Sequence, residues 1–308
     1  MNARHPVRQS PDDSGRGLSL GIAAYALWGI LPIYFKAIEE VGAVDIVAHR
    51  VLWSVPFLAL LIAMFGGFGG VREAIRSRRT IAFLSVTAVL IATNWLLYVY
   101  AVTTGHILAS SLGYYLNPLI NVLMGRALLK ERLSGLQWAA VAIAAAGISG
   151  LAIQALGQLW ISLALAITFA TYGLLRKIAP VEAVAGLAVE TGLLFPAALL
   201  WLGWGFAAGE PAFGPANRDW ALLLCAGVVS TVPLILFTAA ARRLAYSTLG
   251  MLQFIAPTLQ FLCAVLLYGE RFTRWHALAF GSIWLALALY VTALIRAPKS
   301  AVSAMPPE

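Results

Sequence analysis

The sequence predicts an all-α membrane protein of about ten transmembrane helices, arranged as two inverted five-helix repeats with both termini cytoplasmic. Three observations carry that expectation. The 308 residues are 61% hydrophobic and only 11% charged, against about 25% charged in an ordinary soluble domain. Apolar runs of about 20 residues, the length that crosses a hydrocarbon core, recur along the whole chain. Short motifs in the first half return in the second at a nearly constant offset.

The runs fall at residues 17–38, 45–65, 80–102, 106–128, 134–153, 157–176, 184–206, 220–241, 245–268 and 274–295. Backbone groups in lipid must be bonded within the segment, so these runs predict helices rather than open strands. The polar stretch 1–16, with Pro6 and Pro11, predicts a disordered cytoplasmic tail, and 298–308 a second tail. The first run is long for a signal peptide and lacks a small-x-small cleavage pattern, so it reads as a retained span.

Orientation follows from Lys and Arg. With the N-terminus inside, 16 of the 21 basic residues fall in cytoplasmic segments. Only Lys36, Arg218, Arg271 and Arg274 fall outside, and Arg50 lies within a span. Cytoplasmic loops carry the Lys and Arg excess, which places both termini inside. The net charge of +8 is thereby a loop property and does not call for a nucleic-acid partner.

Ser110-Ser111-Leu112-Gly113, Asn117-Pro118-Leu119 and Glu131-Arg132 return as Ser247-Thr248-Leu249-Gly250, Pro257-Thr258-Leu259 and Glu270-Arg271. Arg50 and Pro56 are matched by Glu190 and Pro196, and Trp28-Gly29 by Tyr172-Gly173. The matches divide the chain into a five-helix repeat at 17–155 and another at 156–297. Five spans per repeat make the copies enter the membrane from opposite faces, the arrangement typical of secondary transporters with a site between the halves.

Ionisable residues within spans are costly and usually functional. Arg50 and Glu190 stand out, with His49 beside the first. Counted along the helix, they lie ~7–9 Å deep from opposite faces. They are expected to line a central cavity from its two sides, or else to snorkel to their own interfaces. Glu190 and His49 are the candidate proton-coupling groups. Asn94, Asn117 and Gln253 are polar amides in the same spans, and Trp53, Tyr114 and Tyr115 are neighbouring aromatics; all six are candidate solute-binding residues. Pro56, Pro118, Pro196 and Pro257 lie near mid-span, where a missing hydrogen bond makes a flexible point, and are the candidate gating residues. A buried arginine among aromatics suits a solute with one anionic group and an apolar part.

The sequence has no phosphate-binding glycine loop, HExxH, GxSxG or Cys/His cluster, so no cofactor and no metal are expected. Cys225 and Cys263 sit in apolar runs and read as small hydrophobes. The expected partners are the bilayer, a small-molecule solute, and a proton or counter-solute, with a homodimer as an option.

The stretches Ala48-His49-Arg50-Val51-Leu52-Trp53-Ser54, Asn94-Trp95-Leu96-Leu97 and Ser111-Leu112-Gly113-Tyr114-Tyr115-Leu116-Asn117-Pro118-Leu119 resemble the drug/metabolite transporter superfamily with two EamA-type repeats. Ser247-Thr248-Leu249-Gly250 and Ala256-Pro257-Thr258-Leu259 extend the likeness. Within it, the chain is most similar to the RarD-type group, named for chloramphenicol sensitivity. The resemblance implies a bacterial inner-membrane carrier of ten spans that exports or exchanges small organic solutes, such as amino-acid-like metabolites or amphipathic drugs, and it specifies no substrate. The alternatives are an intramembrane enzyme and a non-transporting scaffold.

Overall fold

Apolar runs that must satisfy their own backbone groups become helices, and helices are all the structure contains among its described residues. It is a computed structural model describing residues 11–103, 106–154, 156–209, 213, 219–269 and 274–296. The first half comprises α1 (Pro11–Ala37), α2 (Ala43–Phe65), α3 (Phe68–Arg76), α4 (Arg78–Thr103), α5 (Ile107–Leu128) and α6 (Gly135–Gln154). After a 3-10 turn at Leu156–Gln158 come α7 (Leu159–Ile178), α8 (Ala183–Ala207), α9 (Asp219–Ala241), α10 (Tyr246–Leu252), α11 (Ile255–Tyr268) and α12 (Arg274–Arg296). Among the described residues, eight candidate membrane spans, against the ten expected, meet the length and hydropathy demanded of a crossing, and α6 contributes a shorter apolar stretch at Gly135–Gly150. Large apolar side chains such as Phe65, Leu200 and Ile295 point outward, where hydrocarbon replaces water as their solvent.

The helices depart from the sequence expectation in three places. α1 starts at Pro11, so residues 11–16, expected in a disordered tail, are its first turns; proline is tolerated there because a first-turn N–H has no partner to lose. α3 is a short extra helix between spans, with Ala74 turned inward and its arginines outward. The run 245–268 is two helices, α10 and α11, separated at Gln253 and Phe254. Pro257 lacks the N–H that would bond the Gln253 carbonyl, which accounts for the break. Pro56, Pro118 and Pro196, by contrast, lie inside continuous α2, α5 and α8. The repeat pair Glu270-Arg271 and the two outer tails lie outside the described residues.

Packing follows a repeat logic. α6 lies along α12, α2 against α8, and α5 against α10. α5 meets α7 as α11 meets α1; α2 meets α9 as α8 meets α4; α1 meets α9 as α7 meets α4. Exchanging the two halves span for span maps this set of contacts onto itself. Local geometry repeats as well: α2 ends at Gly66 with φ +79°, and Gly209, just past α8, has φ +85°. Glycine adopts that left-handed backbone without a Cβ penalty.

Close approaches hold the halves together. A Cβ on Gly227 of α9 would collide with the Trp53 carbonyl and the Ser54 nitrogen of α2, so the two backbones touch. Asn121 Nδ2 donates to Gln253 Oε1 at 2.8 Å across the α5–α10 crossing.

Candidate functional site

Four helical stripes, each at i, i+3, i+4, i+7 spacing, converge at the centre. On α4 the stripe is Ile91, Asn94, Trp95 and Tyr98; on α8 Leu187, Glu190, Thr191 and Leu194; on α9 Gly227, Ser230, Thr231 and Leu234; α2 contributes Val47, Arg50, Val51 and Ser54. The α1 and α11 faces, with Tyr25, Trp28 and Gln260, and Gln253 at the α10–α11 break close the circle.

The α2 and α4 stripes, Leu234 of α9, and the α1 and α11 faces enclose a cavity of about 780 Å³, the size of an ordinary small-molecule site; the α8 stripe faces a smaller chamber beside it. Its walls are mostly aromatic and apolar: Tyr25, Trp28, Trp95, Tyr98, Tyr114, Phe169 and Leu234. Lys36 and Glu39, ion-paired with each other at 2.5 Å and about half exposed, mark its mouth. Arg50 is the charge set among the interior lining residues. Its Nε donates to Ser230 Oγ at 2.7 Å, and its guanidinium carbon lies 4.6 Å from the centre of the Trp95 ring. A cation–π contact is worth about 2 kcal/mol when desolvated, which offsets part of the ~2.5–3.5 kcal/mol that a mid-span arginine costs. With Nε fixed on Ser230, the terminal nitrogens are the part of the fork left for a planar anion.

Glu190 lies elsewhere. It neither lines the large cavity with Arg50 nor reaches an interface, the two expectations for it, but is closed off in the protein and ion-paired to Arg176 Nη1 at 3.5 Å. Thr87 Oγ1 and Tyr172 OH also donate to its carboxylate, the second at 3.3 Å. Arg176 is one of the 16 basic residues that the orientation rule assigns to cytoplasmic segments. Its side chain is fully buried, packs on the bare backbone of Gly186, and donates through Nη2 to Ala183 O at 3.0 Å. The repeat match survives in a different form: Arg50 of α2 bonds Ser230 of α9, as Glu190 of α8 bonds Thr87 of α4. Under exchange of the halves these are equivalent bonds. Each residue sits seven positions into its helix, ~10 Å along the axis.

Between the two centres lies a chamber of about 10 Å³, lined by Ser54, Glu190, Thr191, Ser230 and Thr231. Ile91, Trp95 and Leu234 belong both to it and to the large cavity. Thr231 Oγ1 donates to Ser54 Oγ at 2.8 Å, and Ser54 Oγ to Arg50 O at 2.5 Å.

The remaining candidates divide. Asn94, Tyr114, Gln253 and Pro257 line the cavity. Asn94 also ties α4 to α7, donating to Leu165 O at 2.8 Å and Thr168 Oγ1 at 2.9 Å. Asn117 is buried on α5 away from the cavity lining, and Tyr115 packs on Phe280. Trp53 Nε1 donates to His49 Nδ1 at 3.2 Å, and both rings meet Phe213. His49 is thus placed beside Trp53 and not in the Glu190 cluster. Trp28, Tyr98 and Ser230 are cavity or anchor residues that sequence reasoning did not select; the α4 stripe around Asn94 was the available signal for Tyr98.

Away from Lys36 and Glu39 the helices are tied to one another by hydrogen bonds. Tyr25 OH donates to Leu249 O at 3.1 Å and Tyr246 OH to Ala170 O at 2.5 Å. Glu131 accepts from the Tyr246 and Ser247 backbone N–H groups at 2.5 and 2.9 Å. Arg242 Nη1 donates to Ala179 O and Val181 O at 2.9 and 2.6 Å. Burial, and then the nearby Arg176 charge, lower the Arg242 pKa from its ordinary value.

The EamA-like transporter family matches this chain twice, over residues 15–153 and 155–292. An uncharacterized transporter of Pseudomonas aeruginosa is 50% identical over 279 residues, 89% of this chain and 93% of its own. Protein RarD of Escherichia coli is 43% identical over 287 residues, 90% of this chain and 94% of its own. The chloramphenicol-sensitive protein RarD of Pseudomonas aeruginosa is 35% identical over 90% of this chain and 93% of its own. A solved crystal structure aligns with TM-score 0.71 and 20% identity, over 92% of this chain and 99% of that one, and shares the fold. This chain is a RarD-like, multi-pass membrane protein of the EamA-like transporter family, a family of transporters and not of enzymes.

Proposed function

We propose that the chain is a secondary transporter that moves small organic solutes carrying one anionic group and an apolar, preferably planar, body. It has ten spans in two inverted repeats, with both termini cytoplasmic. The cavity then faces outward, because Lys36 and Glu39 follow the first span, and the Glu131, Arg242 and Tyr246 contacts close the cytoplasmic side. The exchange symmetry of the helix contacts supports an inward-open counterpart, reached by trading the roles of the two halves.

The observation that carries this reading is Arg50 held by Ser230 and Trp95 among the aromatic walls of a 780 Å³ cavity. A solute carboxylate would take the guanidinium fork, and its apolar body would lie on Trp28, Tyr98 and Tyr114. Amino-acid-like metabolites and amphipathic drugs with such a group fit. Metabolite profiling of cells with and without the protein, followed by uptake of the accumulating solute into proteoliposomes, tests the reading. Saturable flux of an organic anion supports it; ion conductance without solute flux rejects it.

A further inference from the structure

The Glu190–Arg176 pair has no part in holding the solute, yet its surroundings are built as a second polar site. Resting on the solute-cavity reading above, we propose that Glu190 is a proton-binding site, with Arg176 as its counter-charge and the chamber behind Trp95 as its route from the cavity.

The geometry supplies each part. The chamber, at about 10 Å³, approaches the volume needed for one water molecule. Four hydroxyl residues, Ser54, Thr191, Ser230 and Thr231, line it beside Glu190, enough donors and acceptors to orient that water. Ile91, Trp95 and Leu234 are its shared wall with the solute cavity. Among the described residues, the titratable groups that contact Glu190 are Arg176 and Tyr172 of α7; α4 offers Thr87. Arg50 of α2 stands across the chamber, fixed on Ser230.

The transfer is simple in its balance. A proton from cavity water passes through the chamber water to the Glu190 carboxylate, which becomes a neutral carboxyl. The pair changes from neutral to a single positive charge on Arg176. A hydronium ion in the cavity is left as water, and the chamber water accepts one proton as it passes another on. Arg176 Nε already lacks a hydrogen-bond partner, so losing its carboxylate leaves a buried guanidinium held by Ala183 O. That cation favours the rearrangement that opens the cytoplasmic side, where water can reach it. Trp95 couples the two sites: Arg50 rests on its face, and its ring helps to close the chamber. A solute that draws Arg50 away from Trp95 loosens the wall and speeds the proton exchange that occurs slowly without it.

Infrared difference spectroscopy of the purified full chain in liposomes, with pH as the only variable and no solute, tests this directly. A pH-dependent carboxyl C=O band, at the high frequency of a buried acid, is expected in the wild type and absent in Glu190→Gln. If Glu190→Gln does not fold, Glu190→Asp should shift that band. Thr191→Val, which removes one chamber hydroxyl, should keep the band and slow its deuterium exchange. A wild-type spectrum with no such band, or bands unchanged in the Glu190 variants, overturns the proposal. Because no solute is present, failure here leaves the Arg50 cavity reading standing. Failure of solute flux with the band intact removes the cavity reading alone.

Discussion

Arg176 and Glu190 form an ion pair at 3.5 Å with both side chains shut away from solvent, although 14 positions and a helical hairpin separate them in sequence. Removing one partner of a buried pair leaves an uncompensated charge, at a cost of about 3–5 kcal/mol, while replacing both costs far less. Arg176→Gln should therefore lower thermal stability strongly, and Arg176→Gln/Glu190→Gln should recover much of the loss. Melting curves of the two single variants and the double variant in detergent check this; additive losses would contradict a direct pair.

The α2–α9 contact makes a second prediction. A Cβ at Gly227 would overlap backbone atoms of Trp53 and Ser54, whereas one at Gly192 meets nothing within 4 Å. Backbone cannot rotate away as a side chain can, so Gly227→Ala should destabilise by about 1–3 kcal/mol. Gly192→Ala should be neutral or gain up to about 1 kcal/mol from helix propensity. Yield and melting temperature of the pair read out the difference.

The eight candidate spans were legible in the sequence because each must bond its own backbone in lipid, a demand met locally. The double repeat was legible because matched motifs kept their spacing. What remained hidden depended on neighbours. Arg176 ends an apolar run beside Lys177, which reads as a loop end; only Gly186, seated against it from α8, shows that the guanidinium turns inward. Arg50 and Glu190 fall in the candidate spans of α2 and α8, but their partners, Ser230 and Thr87, lie on other helices and have unremarkable sequence contexts. Aromatics follow the same rule: Tyr114 and Tyr115 are adjacent, yet a helix turns about 100° per residue, and only the first reaches the cavity.

Topology gives a third prediction. Reporter fusions after residue 75 and at the C-terminus should be cytoplasmic, and one near Gly157 external. A C-terminal reversal would imply an odd number of spans and remove the inverted repeat.

Ser230 fixes the Arg50 fork through one bond to a charged group, an interaction of about 1.5–3 kcal/mol. Ser230→Ala should raise the solute KM about tenfold or more, with insertion unchanged. Flux at several solute concentrations, beside membrane abundance, separates this from misfolding.

Arg50→Lys bears most directly on solute anchoring at Arg50. Lysine keeps the charge but loses the planar fork that can bond Ser230, stack on Trp95 and still receive a carboxylate. Flux of the organic anion and membrane abundance are measured together in wild type and Arg50→Lys. Flux falling at least about tenfold, the loss of one charge-assisted hydrogen bond, at unchanged abundance is the result predicted here; wild-type flux in the lysine variant would contradict it.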